Sequence, residues 1–280
     1  MRKAIAVSCV VAIGAVLGGC STPREVVRPL SLTVGVQQYR EDQVAQRLQL
    51  LLTNNDTRPV QLTSLNLVWA GFNPQPATRV SYTLTPGLPV ALAIPEPRAS
   101  CTTAGAPLSA PVVQVTAIAP TAATTIPVTN GLDVLQQARA TECVQQNLNA
   151  NLSMEFDDSW TPYSVKGVPA VDATILVWRK LATSDISITD LQGTVLLTIS
   201  PIHQTRPLGL LGYDAQVLFL PVRLQAARCD LHALGEAKKP FAFVVGVRIG
   251  RGPRLPYDLT PDAAGKARLW RLIFQGCRVP

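Results

Sequence analysis

Histidine, lysine and aromatic side chains are scarce in this chain, and so are catalytic signatures. Only two histidines occur in 280 residues, His203 and His232, and they fall in different segments. There is no Gly-x-Ser-x-Gly, His-Glu-x-x-His, Walker or Ser-x-x-Lys pattern, which removes the common hydrolase, metalloprotease and nucleotide-binding signatures. A hydrolase built around His203 survives only as an alternative, because a Ser–His–Asp triad needs no more than one histidine. Cys-x-x-Cys is also missing, which argues against a zinc ribbon or a thioredoxin-like centre. Asp157-Asp158 lacks the further oxygen ligands that calcium requires and reads as a solvated turn. No metal or cofactor is expected. Charged residues make up 15% and hydrophobic residues 47% of the chain, a balance that excludes wholesale disorder.

What is present begins at the N-terminus. Arg2-Lys3 precedes an uncharged run from Ala4 to Leu17, and Leu17-Gly18-Gly19-Cys20 follows. The run is shorter than the roughly 20 apolar residues of a membrane-spanning helix and matches a signal peptide. Leu-Gly-Gly-Cys resembles the lipobox of bacterial lipoproteins. That resemblance, confined to residues 1–20, implies cleavage after Gly19 and a diacylglycerol on the Cys20 thiol. Each buried methylene adds about 0.8 kcal/mol, so two acyl chains make a stable anchor. The expected location is the extracytoplasmic face of the cell membrane.

Without residues 1–19 the chain holds 23 basic and 18 acidic residues, net +5. Four cysteines remain beyond Cys20: Cys101, Cys143, Cys229 and Cys277. Outside the cytoplasm an even number suggests disulfides, and four cysteines allow three connectivities.

The segment Val60-Gln61-Leu62-Thr63-Ser64-Leu65 is echoed 126 positions later by Ile186-Ser187-Ile188-Thr189-Asp190-Leu191. Other landmarks recur in the same order. Leu48, Leu50 and Leu52 align with Thr174, Leu176 and Trp178. Leu88-Pro89-Val90 before Cys101 matches Leu220-Pro221-Val222 before Cys229. Leu135 lies eight residues before Cys143, as Leu269 does before Cys277. The pattern reads as an internal duplication, and under it each copy closes its own disulfide, Cys101–Cys143 and Cys229–Cys277.

Strand-like alternation recurs every 10–15 residues between Pro, Gly, Asn and Asp, which predicts an all-β chain. In this reading Trp270, Leu272 and Phe274 form one face of the last strand, while pattern leaves residues 132–146 open between helix and strand. The spacing resembles tandem immunoglobulin-like β-sandwiches, although copy one has no Trp between its cysteines. The expected layout is a signal peptide (1–19), a lipidated tether (20–29), a first sandwich (30–146) and a second (150–280), joined by a short linker.

Three features could carry binding. Trp160 and Tyr163 belong to an aromatic segment without a counterpart in copy one, suited to recognition or to plugging the junction between copies. Leu210 and Leu211 sit in an apolar loop that faces either a partner or the core. Arg248, Arg251 and Arg254 surround a hairpin turn in a C-terminal stretch, 223–280, that holds 11 basic and 4 acidic residues. Arginine forks match phosphate geometry, whereas a lipoprotein has no access to nucleic acid. The expected function is therefore non-enzymatic: a lipid-anchored envelope protein that binds a protein partner or an anionic envelope polymer. A carrier of a lipid or other apolar ligand is the alternative.

Overall fold

The computed structural model describes residues 30–101, 108–119 and 121–277. The leader, the tether and Cys20 lie outside the described residues. The described chain is mostly β-structure in several sheets, with two long helices.

The first half contains β1 (Leu32–Gln37), α1 (Arg40–Ala45), β2 (Arg47–Asn54), β3 (Val60–Val68), β4 (Thr78–Leu84), β5 (Pro89–Pro95), β6 (Val112–Ala119), β7 (Thr121–Asn130) and α2 (Leu132–Asn151). Its strands form one sheet in the order β4-β3-β6-β7-β1-β2-β5, in which β1 and β7 run parallel. The second half contains β8 (Leu152–Phe156), β9 (Thr161–Val165), β10 (Val168–Arg179), β11 (Ile186–Gln192), β12 (Leu197–Pro201), β13 (Gly209–Leu211), β14 (Val217–Ala226), α3 (Leu231–Glu236), β15 (Phe243–Ile249), β16 (Leu255–Leu259) and α4 (Ala263–Cys277). One of its sheets has the order β12-β14-β10-β8, with β9 also on β10; the other has the order β13-β11-β15-β16.

The same pairings recur in both halves. Pairs β1–β2, β2–β5, β3–β6, β6–β7 and β3–β4 correspond in chain order to β8–β10, β10–β14, β11–β15, β15–β16 and β11–β13. The echoed segment is the strand β3 or β11. In both, the register slips at the same place, between Leu62 and Ser64 and between Ile188 and Asp190. The extra residue is Thr63 in one half and Thr189 in the other, so the repeated letters encode a repeated β-bulge.

Another landmark shifts by one position. Leu48, Leu50 and Leu52 are buried in the first core, but in β10 the buried set is Ala173, Ile175 and Val177. Thr174, Leu176 and Trp178 face the other way. Side chains alternate along a strand, so a one-residue offset turns a core row into a surface row.

Each half has its own core. Leu48, Leu62, Leu65 and Leu84 lie in the first, and Ile175, Val222, Phe243 and Val245 in the second. Helix α2 belongs to both, since Leu135 and Ala138 pack in the first and Leu148 in the second. It begins at Gly131, where φ is 89° and a Cβ would lie 1.9 Å from the Val36 carbonyl oxygen. Only glycine fits that close approach. The helix runs through the expected linker directly into β8, so the join is helical.

The chain ends differently from expectation. Residues 263–277 are helix α4, not a strand, and Leu269, Leu272 and Ile273 are buried at helical spacing. This departs from an all-β chain. Cys101 is bonded to Cys143 and Cys229 to Cys277, each bridge tying the segment after β5 or β14 to the helix that closes its half.

Candidate functional site

Both outer faces of the second half's sheets carry exposed functional groups. On the β10–β14 face, Leu176 lies opposite Phe219, Trp178 opposite Val217 and Asp172 opposite Arg223. Their neighbours at 173, 175, 177, 220, 222 and 224 fill the core, so strand alternation alone directs this row outward. Phe219 is 62% exposed and Trp178 40%.

Polar contacts fix the rings and rim. Trp178 Nε1–H donates to Glu155 Oε1 at 3.1 Å. Arg223 donates from Nε and Nη2 to the two Asp172 carboxylate oxygens at 2.6 and 2.8 Å. Its guanidinium lies 3.7 Å from the centre of the Tyr163 ring. Hydrogen bonding to Asp172 raises the Arg223 pKa further above its ordinary value, so that charge is permanent. Tyr163, Trp178 and Phe219 thus stand on one rigid sheet surface with oriented polar groups around them.

Trp160 is not part of this surface. It packs beside Phe156, with ring centroids 5.2 Å apart, and next to Gly265 of α4. Arg268 of the same helix sits 6.0 Å from its ring. Trp160 therefore anchors α4 within its own half and does not plug the junction between halves. Asp158 donates its backbone N–H to Asp157 Oδ1 at 2.8 Å, a solvated turn.

The opposite sheet gathers the other candidates. Ser187 lies between Leu210 on β13 and Arg248 on β15. The Gly-Leu-Leu segment is an edge strand, not a loop. It divides its two leucines, burying Leu211 in the core and leaving Leu210 56% exposed. Arg251 occupies the β15–β16 turn beside Gly250. Arg254 is engaged by Asp190 in a two-pronged ion pair, so the three arginines are not equivalent. Among the described residues Arg248 and Arg251 have no carboxylate partner.

Between the halves lies a cleft of about 560 Å³, lined by Gln38, Glu96, Glu142, Gln146, Lys239 and Asp258 among others. Glu96 accepts a 2.7 Å hydrogen bond from Gln38, and Glu142 accepts from the Ala99 backbone N–H at 2.7 Å. Burial pushes the Glu96 carboxyl above its ordinary pKa, and nearby Glu142 adds to the rise. The walls of this cleft are polar. Among the described residues, no group of three or more His, Cys, Asp or Glu side chains is placed to hold a metal ion, and no helix is long and apolar enough to cross a membrane.

The sequence identified Tyr163 but not Trp178 or Phe219, the other two exposed aromatics of the face. Their signal was an apolar residue at every position of Ile175–Trp178 and Val217–Leu220, which reads as a strand buried on both sides.

No family model matches the chain, and no curated protein does. Among solved structures, the chain is similar to the B domain of a biofilm-associated protein. The identity is 8%, the match covers 83% of this chain and 84% of that chain, and the TM-score is 0.18.

Proposed function

We propose that this protein is a lipid-anchored component of the bacterial envelope, held through Cys20, that recognises a protein partner through the outer β10–β14 face. The observation that carries this reading is the row of Tyr163, Trp178 and Phe219 on a rigid sheet, rimmed by Glu155, Asp172 and Arg223. Large aromatics surrounded by oriented polar groups are the usual composition of an interface centre. The body is two immunoglobulin-like β-domains derived by duplication, the first with its strands in one continuous sheet and the second with its strands in two. The shared pairings and the shared bulge support that origin. In the second half, β8-β10-β14 and β11-β15-β16 take the places of the A-B-E and C-F-G strands of that fold, while β12 and β13 add an edge strand to each sheet.

The test is comparative affinity capture from native envelope with the unlipidated protein. Trp178→Ala combined with Phe219→Ala should remove a specific captured protein, with an affinity loss of about 30-fold or more, while thermal stability stays near wild type. Unchanged capture would overturn the assignment of this face. The lipid anchor is tested separately: Cys20→Ala should move the protein from the membrane to the soluble fraction.

A second reading has its own support. Arg248 and Arg251 project from the other sheet without carboxylate partners among the described residues, which suits an anionic envelope polymer. Replacing both with Glu should abolish sedimentation with anionic wall polymer and leave protein capture intact. Carriage of an apolar ligand has less support, because the cleft between the halves is lined mainly by amides and carboxylates, with Arg98 and Lys239 among them.

A further inference from the structure

Strand β5 ends the first half's sheet, pairing with β2 on one side only. Its sequence is Pro89-Val90-Ala91-Leu92-Ala93-Ile94-Pro95. The strand carries no charge, and it reads almost the same in both directions about Leu92.

The hydrogen-bonding direction of each residue can be assigned. Just past the strand, Glu96 N–H donates to the Gln46 carbonyl at 2.9 Å, on the β2 side. Directions alternate along an antiparallel strand. Ile94, Leu92 and Val90 therefore turn their backbone groups to β2, and residues 89, 91, 93 and 95 turn theirs to the open edge. The prolines agree, because proline is tolerated in a sheet where its missing N–H points off the edge. Ala91 and Ala93 thus present N–H and C=O groups outward, with no partner among the described residues. Pro89 and Pro95 bound them on either side.

We propose that β5 is a self-pairing edge, at which two copies of this protein join antiparallel about a twofold axis through Leu92. Ala91 of one copy then faces Ala93 of the other, and each pair exchanges N–H···O=C bonds in both directions. The prolines stop the ladder beyond these residues and so set its register. The near-palindrome supplies the self-complementary surface that a twofold interface needs. The alanines, whose exposed side chains lie on the outer face, allow the backbones to approach. On the inner face the half-buried Leu92 side chains meet across the axis. Edges without charged residues are the ones that pair.

The test is sedimentation of the unlipidated protein over a concentration series. Wild type should shift from monomer toward dimer as concentration rises. Ala91→Pro with Ala93→Pro removes the outward N–H groups without touching the β2 ladder, so it should leave the thermal midpoint near wild type and abolish the shift. Ala91→Lys with Ala93→Lys should also give monomer. Ala91→Glu with Ala93→Lys should restore dimer, because each Glu then faces a Lys of the other copy. A wild-type protein that stays monomeric at every concentration overturns the proposal. So does a dimer that survives the proline pair, or a Glu/Lys pair no better than the Lys pair.

Discussion

Arg254 holds Asp190 by two parallel hydrogen bonds, Nε to Oδ1 at 2.6 Å and Nη2 to Oδ2 at 2.5 Å, reaching across the central strand β15. Asp190 lies opposite Gly246 on that strand. The clamp therefore joins β11 to the start of β16 over a residue that has no side chain.

The pair gives a defined pH dependence. Hydrogen bonding to Arg254 holds the Asp190 carboxyl far below the ordinary carboxylate range, against the opposing effect of burial. A depressed native pKa contributes stability that is complete above the unfolded value and is lost as pH falls through the native one. Arg254→Ala should lower stability by up to about 1 kcal/mol near neutral pH, a limit set by solvent screening of a pair about one-third exposed. The difference from wild type should narrow steadily below about pH 4. Urea unfolding of both proteins across that range measures it, and a gap that widens on acidification contradicts the assignment.

Gly246 is buried in the middle of β15 and should not tolerate a side chain. A Cβ there would lie 2.0 Å from Asp190 Oδ1 and 2.5 Å from Thr189 Oγ1. Gly246→Ala must displace the carboxylate from Arg254, so it should cost about 2 kcal/mol or more. The same change in an Asp190→Ala background should cost less, since the nearer obstruction, the carboxylate, is gone and only the Thr189 hydroxyl must turn aside. Strict additivity in this double-mutant cycle would show that the clamp is not what excludes the methyl group.

The Cys229–Cys277 bridge closes a loop of 48 residues by sequence separation. Chain-entropy arguments put its contribution at about 4 kcal/mol as an upper value. Replacing both cysteines by Ser should destabilise the second half most, because Cys277 ends α4 and α4 covers Trp160. Tryptophan fluorescence should shift to longer wavelength at lower urea than in wild type. Coincident fluorescence transitions in the two proteins would show that α4 is held by packing alone.

These features differ in how far the sequence declared them. The echoed strand was legible because its β-bulge requires the same alternation broken at the same threonine. The hairpin between β15 and β16 was legible from Gly250 and Gly252 between apolar runs. Helix α4 was not. Trp270, Leu272 and Phe274 satisfy a period of two, while Gly265, Leu269, Leu272 and Ile273 satisfy the helical period in the same residues, and the buried set follows the second pattern. The β10–β14 face was hidden for a related reason. Strands that are apolar on both sides do not announce which side is covered, and alignment by letters placed Trp178 with a core leucine. The Asp190–Arg254 pair joins residues 64 positions apart, a relation no local pattern contains.

Helix α2 has a mechanical consequence. Twenty residues at 1.5 Å each make a rod about 30 Å long, seated in one core near its start and in the other near its end. Gln145 of this rod grips the Pro256 carbonyl at 2.8 Å, and Lys180 grips that of Asn149 at 3.0 Å. A load applied to either half travels along a stiff strut, so the molecule behaves under tension as a single lever rather than as two beads on a string.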